Sequence, residues 1–214
     1  FGYRSLQDNT TGIQNTALGA DSMYTNTTGS TNVAVGFMTL YSNTTASNNT
    51  GCGYQALLLN TTGTGNTAVG KGALPANTTG NNNTALGKDA MQDNTTGIQN
   101  TALGQNALAD NTTAHNNVAV GYKAMRLNTT GTENVAVGTE ALDTNVSGST
   151  NTACGFRALE ANTDSGNSAF GAYSLYVNTS GTDNTAVGKS ALGANTTGHS
   201  NIAIGKSALD ANTT

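Results

Sequence analysis

The sequence predicts an all-β fold, a parallel β-solenoid (β-roll) of about twelve 17-residue coils. Three observations predict it. The motif N-T-T-G-x-x-N-T-A-V-G-x-x-A-L-x-x recurs along nearly the whole 214-residue chain, and self-similarity at a fixed short period marks a stacked repeat. Where the eighth residue of a copy is apolar, the tenth is too, an alternation of period two as on a strand. Finally, no copy carries enough apolar side chains to offset the ordering of its own backbone, so each coil needs neighbours above and below.

The array divides cleanly. Phe1–Asp8 is the second half of a repeat, twelve copies run from Asn9 to Ala211, and residues 212–214 begin another. The copy starting at Asn162 is a residue short, with Asn162-Thr163-Asp164-Ser165-Gly166 before its second asparagine. We number the slots from the first Asn of each copy. No linker or charge block interrupts the series, so residues 1–214 form a single repeat array. Neither end carries an atypical polar repeat, and the expectation is a segment of a longer fibre.

Slots 1–6 read as a turn. Asn-Thr-Thr-Gly supplies the residues that bond their own backbone and tolerate tight bends. Slot 7 is Asn in every copy: Asn15, Asn32, Asn49, Asn66, Asn83, Asn100, Asn117, Asn134, Asn151, Asn167, Asn184 and Asn201. Stacked one per coil, these amides are expected to form a structural ladder at a corner, satisfying one another and the turn backbone. Slots 8–10 read as a strand. Slots 8 and 10 are apolar together in Val33/Val35, Val118/Val120, Val135/Val137 and Ile202/Ile204, which puts them on one face and the small slot 9 on the other. Slot 11 is always Gly and ends the strand at a turn, with φ > 0 expected. Slots 14 and 15, Ala-Leu in most copies, are expected to centre a second short strand. Twelve coils at the interstrand spacing give a rod of roughly 58 Å. Ten-residue helices do not fit between two glycine breaks and an Asn-Thr run.

The segments Asn32-Val33-Ala34-Val35-Gly36 and Asn201-Ile202-Ala203-Ile204-Gly205, each followed by x-x-Ala/Thr-Leu, resemble the head repeats of YadA-like trimeric autotransporter adhesins. They are also similar to repeats of phage tail-fibre-like and bacterial surface proteins. That resemblance covers essentially the whole chain. It implies a left-handed, homotrimeric roll on the outside of a cell or virion. The family's repeats are shorter and lack the regular Asn-Thr-Thr-Gly insert. The small slots 9 and 14 independently allow another chain to approach closely.

Charge excludes several function classes. Only 9% of residues are charged and the net charge is −4, so there is no basic footprint for nucleic acid or for an anionic membrane. No apolar run approaches the length of a membrane span. His115 and His199 both occupy slot 5, five repeats apart, too far to share a metal. Cys52 and Cys154 both occupy slot 10, six repeats apart, too far to bridge within a straight rod, and read as small buried hydrophobes in place of Val. No nucleophile, base and acid fall in adjacent coils. No catalytic residue, metal or cofactor is therefore expected. Lys71, Lys88, Lys189 and Lys206 share slot 12 and read as solubilising charge, as do the scattered carboxylates.

Slot 1 offers a candidate modification. Asn-x-Ser/Thr stands at Asn9, Asn26, Asn43, Asn60, Asn77, Asn94, Asn111, Asn128, Asn145, Asn178, Asn195 and Asn212, and fails at Asn162. Each is a candidate N-glycosylation site that would sheath the rod in covalent glycan. The same residues are also an ordinary turn whose side chains cap backbone groups. Asn48 and Asn82 add two sequons outside the slot. Aromatic residues gather at slots 12 and 16, including Tyr3, Phe37, Tyr54, Tyr24, Tyr41 and Tyr176, suited to chain–chain contact or groove filling and, second, to stacking on sugar. The expected role is a structural extracellular fibre segment whose partner is a second copy of itself. The alternative is an adhesin or tail-fibre module contacting host glycans. An ice-binding face is less favoured, because it requires Thr at i and i+2, whereas these pairs are adjacent.

Overall fold

The computed structural model describes residues 1–214. Twelve three-residue strands occupy slots 8–10 of successive repeats: β1 (Thr16–Leu18), β2 (Val33–Val35), β3 (Thr50–Cys52), β4 (Thr67–Val69), β5 (Thr84–Leu86), β6 (Thr101–Leu103), β7 (Val118–Val120), β8 (Val135–Val137), β9 (Thr152–Cys154), β10 (Ser168–Phe170), β11 (Thr185–Val187) and β12 (Ile202–Ile204). They pair in chain order as one parallel sheet. Every step aligns like slot with like slot, and the step from β9 to β10 keeps that register although its repeat is a residue short. The chain is a parallel β-solenoid with no helix.

The strands turn their small residue inward. Slot 9 is Ala or Gly51, and Ala34, Ala68, Ala102 and Ala136 are fully buried. A Cβ added at Gly51 would meet Thr39 Cγ2 and Leu40 Cγ, so slot 9 packs across the coil against slots 14 and 15. Slot 15 supplies the large core residues: Met23, Leu40, Leu57, Leu74, Met91, Leu108, Met125, Leu142, Leu159, Leu175 and Leu192 are all fully buried. The apolar core is thus one column of Leu/Met lined by two columns of mostly Ala.

Slots 14 and 15 do not form the expected second strand. Slots 13 and 15 both sit at positive φ, 57° at Asp21 and 50° at Met23 in one coil, with the intervening residue at negative φ. A strand needs consecutive residues in the β region, and this alternation denies it. The wall still bonds to its neighbours through single N–H groups: Asp21 donates to the Tyr3 carbonyl, and Met23 and Thr25 donate to the Thr39 and Tyr41 carbonyls. Of 140 backbone hydrogen bonds only 22 lie within the strands, so most of the cohesion between coils lies in turns and in this wall.

Gly at slot 11 has φ between 123° and 146°. A Cβ there would also strike the carbonyl of the next coil's slot-11 glycine, as at Gly53 against Gly70, so dihedral and contact both demand glycine.

Candidate functional site

The two asparagine columns divide the labour differently from the sequence expectation. At slot 1 each amide bonds the amide of the preceding coil: Asn26 Nδ2 donates to Asn9 Oδ1 at 2.7 Å, Asn43 to Asn26 at 2.8 Å, and Asn111 to Asn94 at 2.7 Å. The same Nδ2 donates to the carbonyl three residues on, closing the turn, as Asn26 does to Gly29. At slot 7 the amide stitches backbone. Asn49 Nδ2 donates to the Gly63 carbonyl of the next coil at 2.8 Å, while its Oδ1 accepts the N–H of Asn66 at 2.9 Å. Direct amide–amide bonds at slot 7 occur in places, as between Asn32 and Asn15 at 3.1 Å. The amide-to-amide column therefore runs chiefly through slot 1, and slot 7 bridges to main chain.

This placement decides the slot-1 sequons. Asn26, Asn43, Asn60, Asn77, Asn94, Asn111, Asn128, Asn145, Asn178 and Asn195 are fully buried. A glycan attaches through Nδ2, the atom that points into the rod and holds two hydrogen bonds, so a sugar at these positions and this packing exclude each other. Asn9 and Asn212, in the outermost coils, are half-buried with the same inward geometry. Asn48 and Asn82 are instead exposed on slot 6.

Slot 2 threonines spend their hydroxyls internally. Thr27 Oγ1 donates to the Thr44 carbonyl at 3.0 Å, and Thr61 and Thr78 repeat the bond. The slot-3 threonines Thr28, Thr62 and Thr96 face solvent. The adjacent pair therefore splits between ladder and surface.

Cys52 and Cys154 are exposed, which corrects the buried-hydrophobe expectation. Slot 10 points outward because slot 9 is the inward position of a three-residue strand. The outer face of the sheet is accordingly apolar: Leu18, Leu86, Val137, Phe170 and Ile204 are between 38 and 72% exposed. Slot 10 carries this apolar surface along every strand from β1 to β12. Slot 8 adds to it only at Val33, Val118, Val135 and Ile202 and is otherwise Thr or Ser, and no charged residue occurs in either slot of the strands.

Charge and aromatic rings occupy the opposite wall, where like slots of consecutive coils meet. Arg4 Nε donates to Asp21 Oδ1 at 2.7 Å, and Arg157 Nε donates to Glu140 Oε2 at 2.7 Å, both between slots 13. Arg126 grips Asp143 through two bonds of 3.0 Å between slots 16. Glu160 Oε2 lies 3.4 Å from Arg157 Nε but outside hydrogen-bond geometry, since that N–H is taken by Glu140. Burial pushes the Glu160 carboxyl up, Arg157 opposes the shift, and Glu140 and Asp143 add to it. Asp110 is also pushed up, first by burial and then by Asp93, with Arg126 opposing. Tyr24 and Tyr41 stack at 5.2 Å and 7°, and Phe37 on Tyr54 at 5.7 Å and 20°. His115 Nδ1 accepts the Ile98 N–H, and His199 is exposed five coils away along the column.

The charged side chains thus pair with one another or face water, and no three His, Cys, Asp or Glu converge as a metal would require. Comparison with protein-family models, with curated proteins and with solved structures returns no match.

Proposed function

We propose that the chain is a structural segment of an extracellular fibre and that its partner is itself, three copies packing through the outer sheet face into a homotrimeric roll. The observation that carries this reading is the outward apolar column of slot 10. It runs the length of the rod, is free of charge, and presents side chains such as Leu18, Leu86, Val137, Val187 and Ile204 that gain from leaving water, flanked in slot 8 by Thr or Ser in eight strands and by Val or Ile in four. Contiguous exposed apolar area on this scale marks an interaction site. A parallel in-register sheet also presents the same slots at every level, so a symmetric partner meets matching slots along the full contact. The tandem array, the scarcity of charge and the inward-turned polar columns suit a spacer that keeps its shape over distance.

Light scattering coupled to size exclusion tests the assembly. Three chain masses are expected, and a substitution of Val137 by Lys in the middle of the face returns the protein to one. A wild-type mass equal to one chain refutes the trimer.

A further inference from the structure

The rod has one concave site, and it lies where the repeat departs from its pattern. On the wall opposite the sheet a cavity of about 380 Å³ is lined by Tyr173, Tyr176, Val177, Ser190, Ala194 and Asp210, with Gly193 among them. Three departures coincide there. Tyr173 is the sole aromatic residue in slot 13, and Gly193 is the sole glycine in slot 16. The coil that bears both tyrosines is the shortened one starting at Asn162. In slot 16 Tyr24 stacks on Tyr41 and Arg126 grips Asp143; here the next coil offers only Gly193 to Tyr176, and the space is left open.

The chemistry of the lining is specific. Tyr173 and Tyr176 stand edge to face, 5.4 Å apart at 82°, so two ring planes form a corner. Val177 and Ala194 extend the apolar floor. Around it the hydroxyls of Tyr173, Tyr176 and Ser190 and the carboxylate of Asp210 make no side-chain hydrogen bond or ion pair within the chain, although every like-slot acid beside an arginine is paired. Asp210 Oδ1 leans over Gly193, 2.5 Å from where a Cβ would stand. An apolar floor with unpartnered hydrogen-bonding groups at its edge is the complement of a pyranose ring, which has one face of C–H groups and a rim of hydroxyls. The volume lies near the small end of ligand pockets and admits one or two rings. An organic cation is the competing ligand, because Asp210 is the one charged group of the lining; the three neutral hydroxyls favour the sugar.

We infer that this notch is a saccharide-binding site, with Tyr176 as stacking platform and Asp210 and Ser190 as hydroxyl partners. It faces away from the sheet surface, so it does not depend on the trimer packing.

Saturation-transfer NMR on the full chain with a panel of methyl pyranosides (gluco, galacto, manno and N-acetylglucosaminyl) and tetramethylammonium tests it. At least one pyranoside is expected to receive saturation with millimolar affinity. Gly193→Tyr fills the notch with the residue that slot 16 already carries at Tyr24 and Tyr41, the flexible Asp210 carboxylate turning aside; it is expected to abolish the signal while leaving the circular dichroism spectrum unchanged. Tyr176→Ala is expected to weaken binding at least tenfold. No transfer to any sugar, transfer to tetramethylammonium alone, or equal transfer in folded Gly193→Tyr overturns the assignment.

Discussion

A bulky residue at positive φ is uncommon, yet this chain puts Leu or Met there in every coil, from 48° at Leu175 to 54° at Met125 and Leu142. The left-handed region brings Cβ against the following carbonyl and costs roughly 1–2 kcal/mol per residue. Burial of the side chain offsets it, at about 1.5–3 kcal/mol. The dihedral also explains the choice of residue. Leu and Met are unbranched at Cβ, whereas Val and Ile crowd the backbone further in this region. Slot 10, in a true strand, accepts Val and Ile freely. Leu108→Val is therefore expected to destabilise by more than one lost methylene, about 2–4 kcal/mol. A denaturant midpoint no lower than that of Leu103→Val, at outward slot 10, would contradict this account. A second residue-level consequence concerns Asp110. Its carboxyl is raised in the fold, so as pH climbs through the carboxylate range the unfolded chain ionises first and stability is lost. Asp110→Asn removes that loss: the variant is expected to melt higher than wild type at pH 7, with the gap closing by about pH 3, where both forms are protonated. Calorimetry at the two pH values checks the sign.

Each coil is a strand, a glycine corner, an alternating wall and an asparagine turn, and these differ in their tolerance of length. The coil from Asn162 shows where a residue can be lost. Thr163 keeps the slot-2 bond, donating Oγ1 to the Thr179 carbonyl, and the Asp164 carbonyl takes the slot-4 place by accepting from both Asn162 and Asn151. The missing position is slot 3, the exposed threonine. Deleting Thr96 is thus expected to preserve the fold, whereas deleting Ala102 shifts slot 10 inward and inverts both faces of β6. Far-UV circular dichroism and solubility separate the two; equal damage would show that the turn is as rigid as the strand. Much of the element order was legible. The strand, the glycine corner and the coil length follow from alternation, an invariant residue and the period. The wall at slots 13–15 was not, because buried Leu/Met beside Ala looks the same in a strand as in alternating dihedrals. The slot-1 column was hidden for another reason. A solvent-loving amide in Asn-Thr-Thr reads as surface, and only its retention at Asn162, where the sequon is broken, hinted that the Asn serves the fold itself. The notch was invisible as a site, since Gly193 means nothing until Tyr176 is seen beneath it.

At the scale of the molecule, stability is distributed along a line. Coils contact only their neighbours, and the bonds between them repeat with little variation, so the rod behaves as a one-dimensional chain of equal couplings. Two long surfaces result: an apolar sheet face suited to a copy of itself, and a wall with local clusters of stacked rings and ion pairs and a notch at Gly193. The slot-1 column adds a direction to this line. Every amide donates toward the N-terminal coil and accepts from the C-terminal one, and its own turn carbonyl holds it in that orientation. Within this column a break between any two coils leaves an Oδ1 acceptor on the N-terminal fragment and an Nδ2 donor on the C-terminal one. The column is remade only where such ends meet head to tail, so the rod carries a direction that neither its composition nor its apolar core would impose.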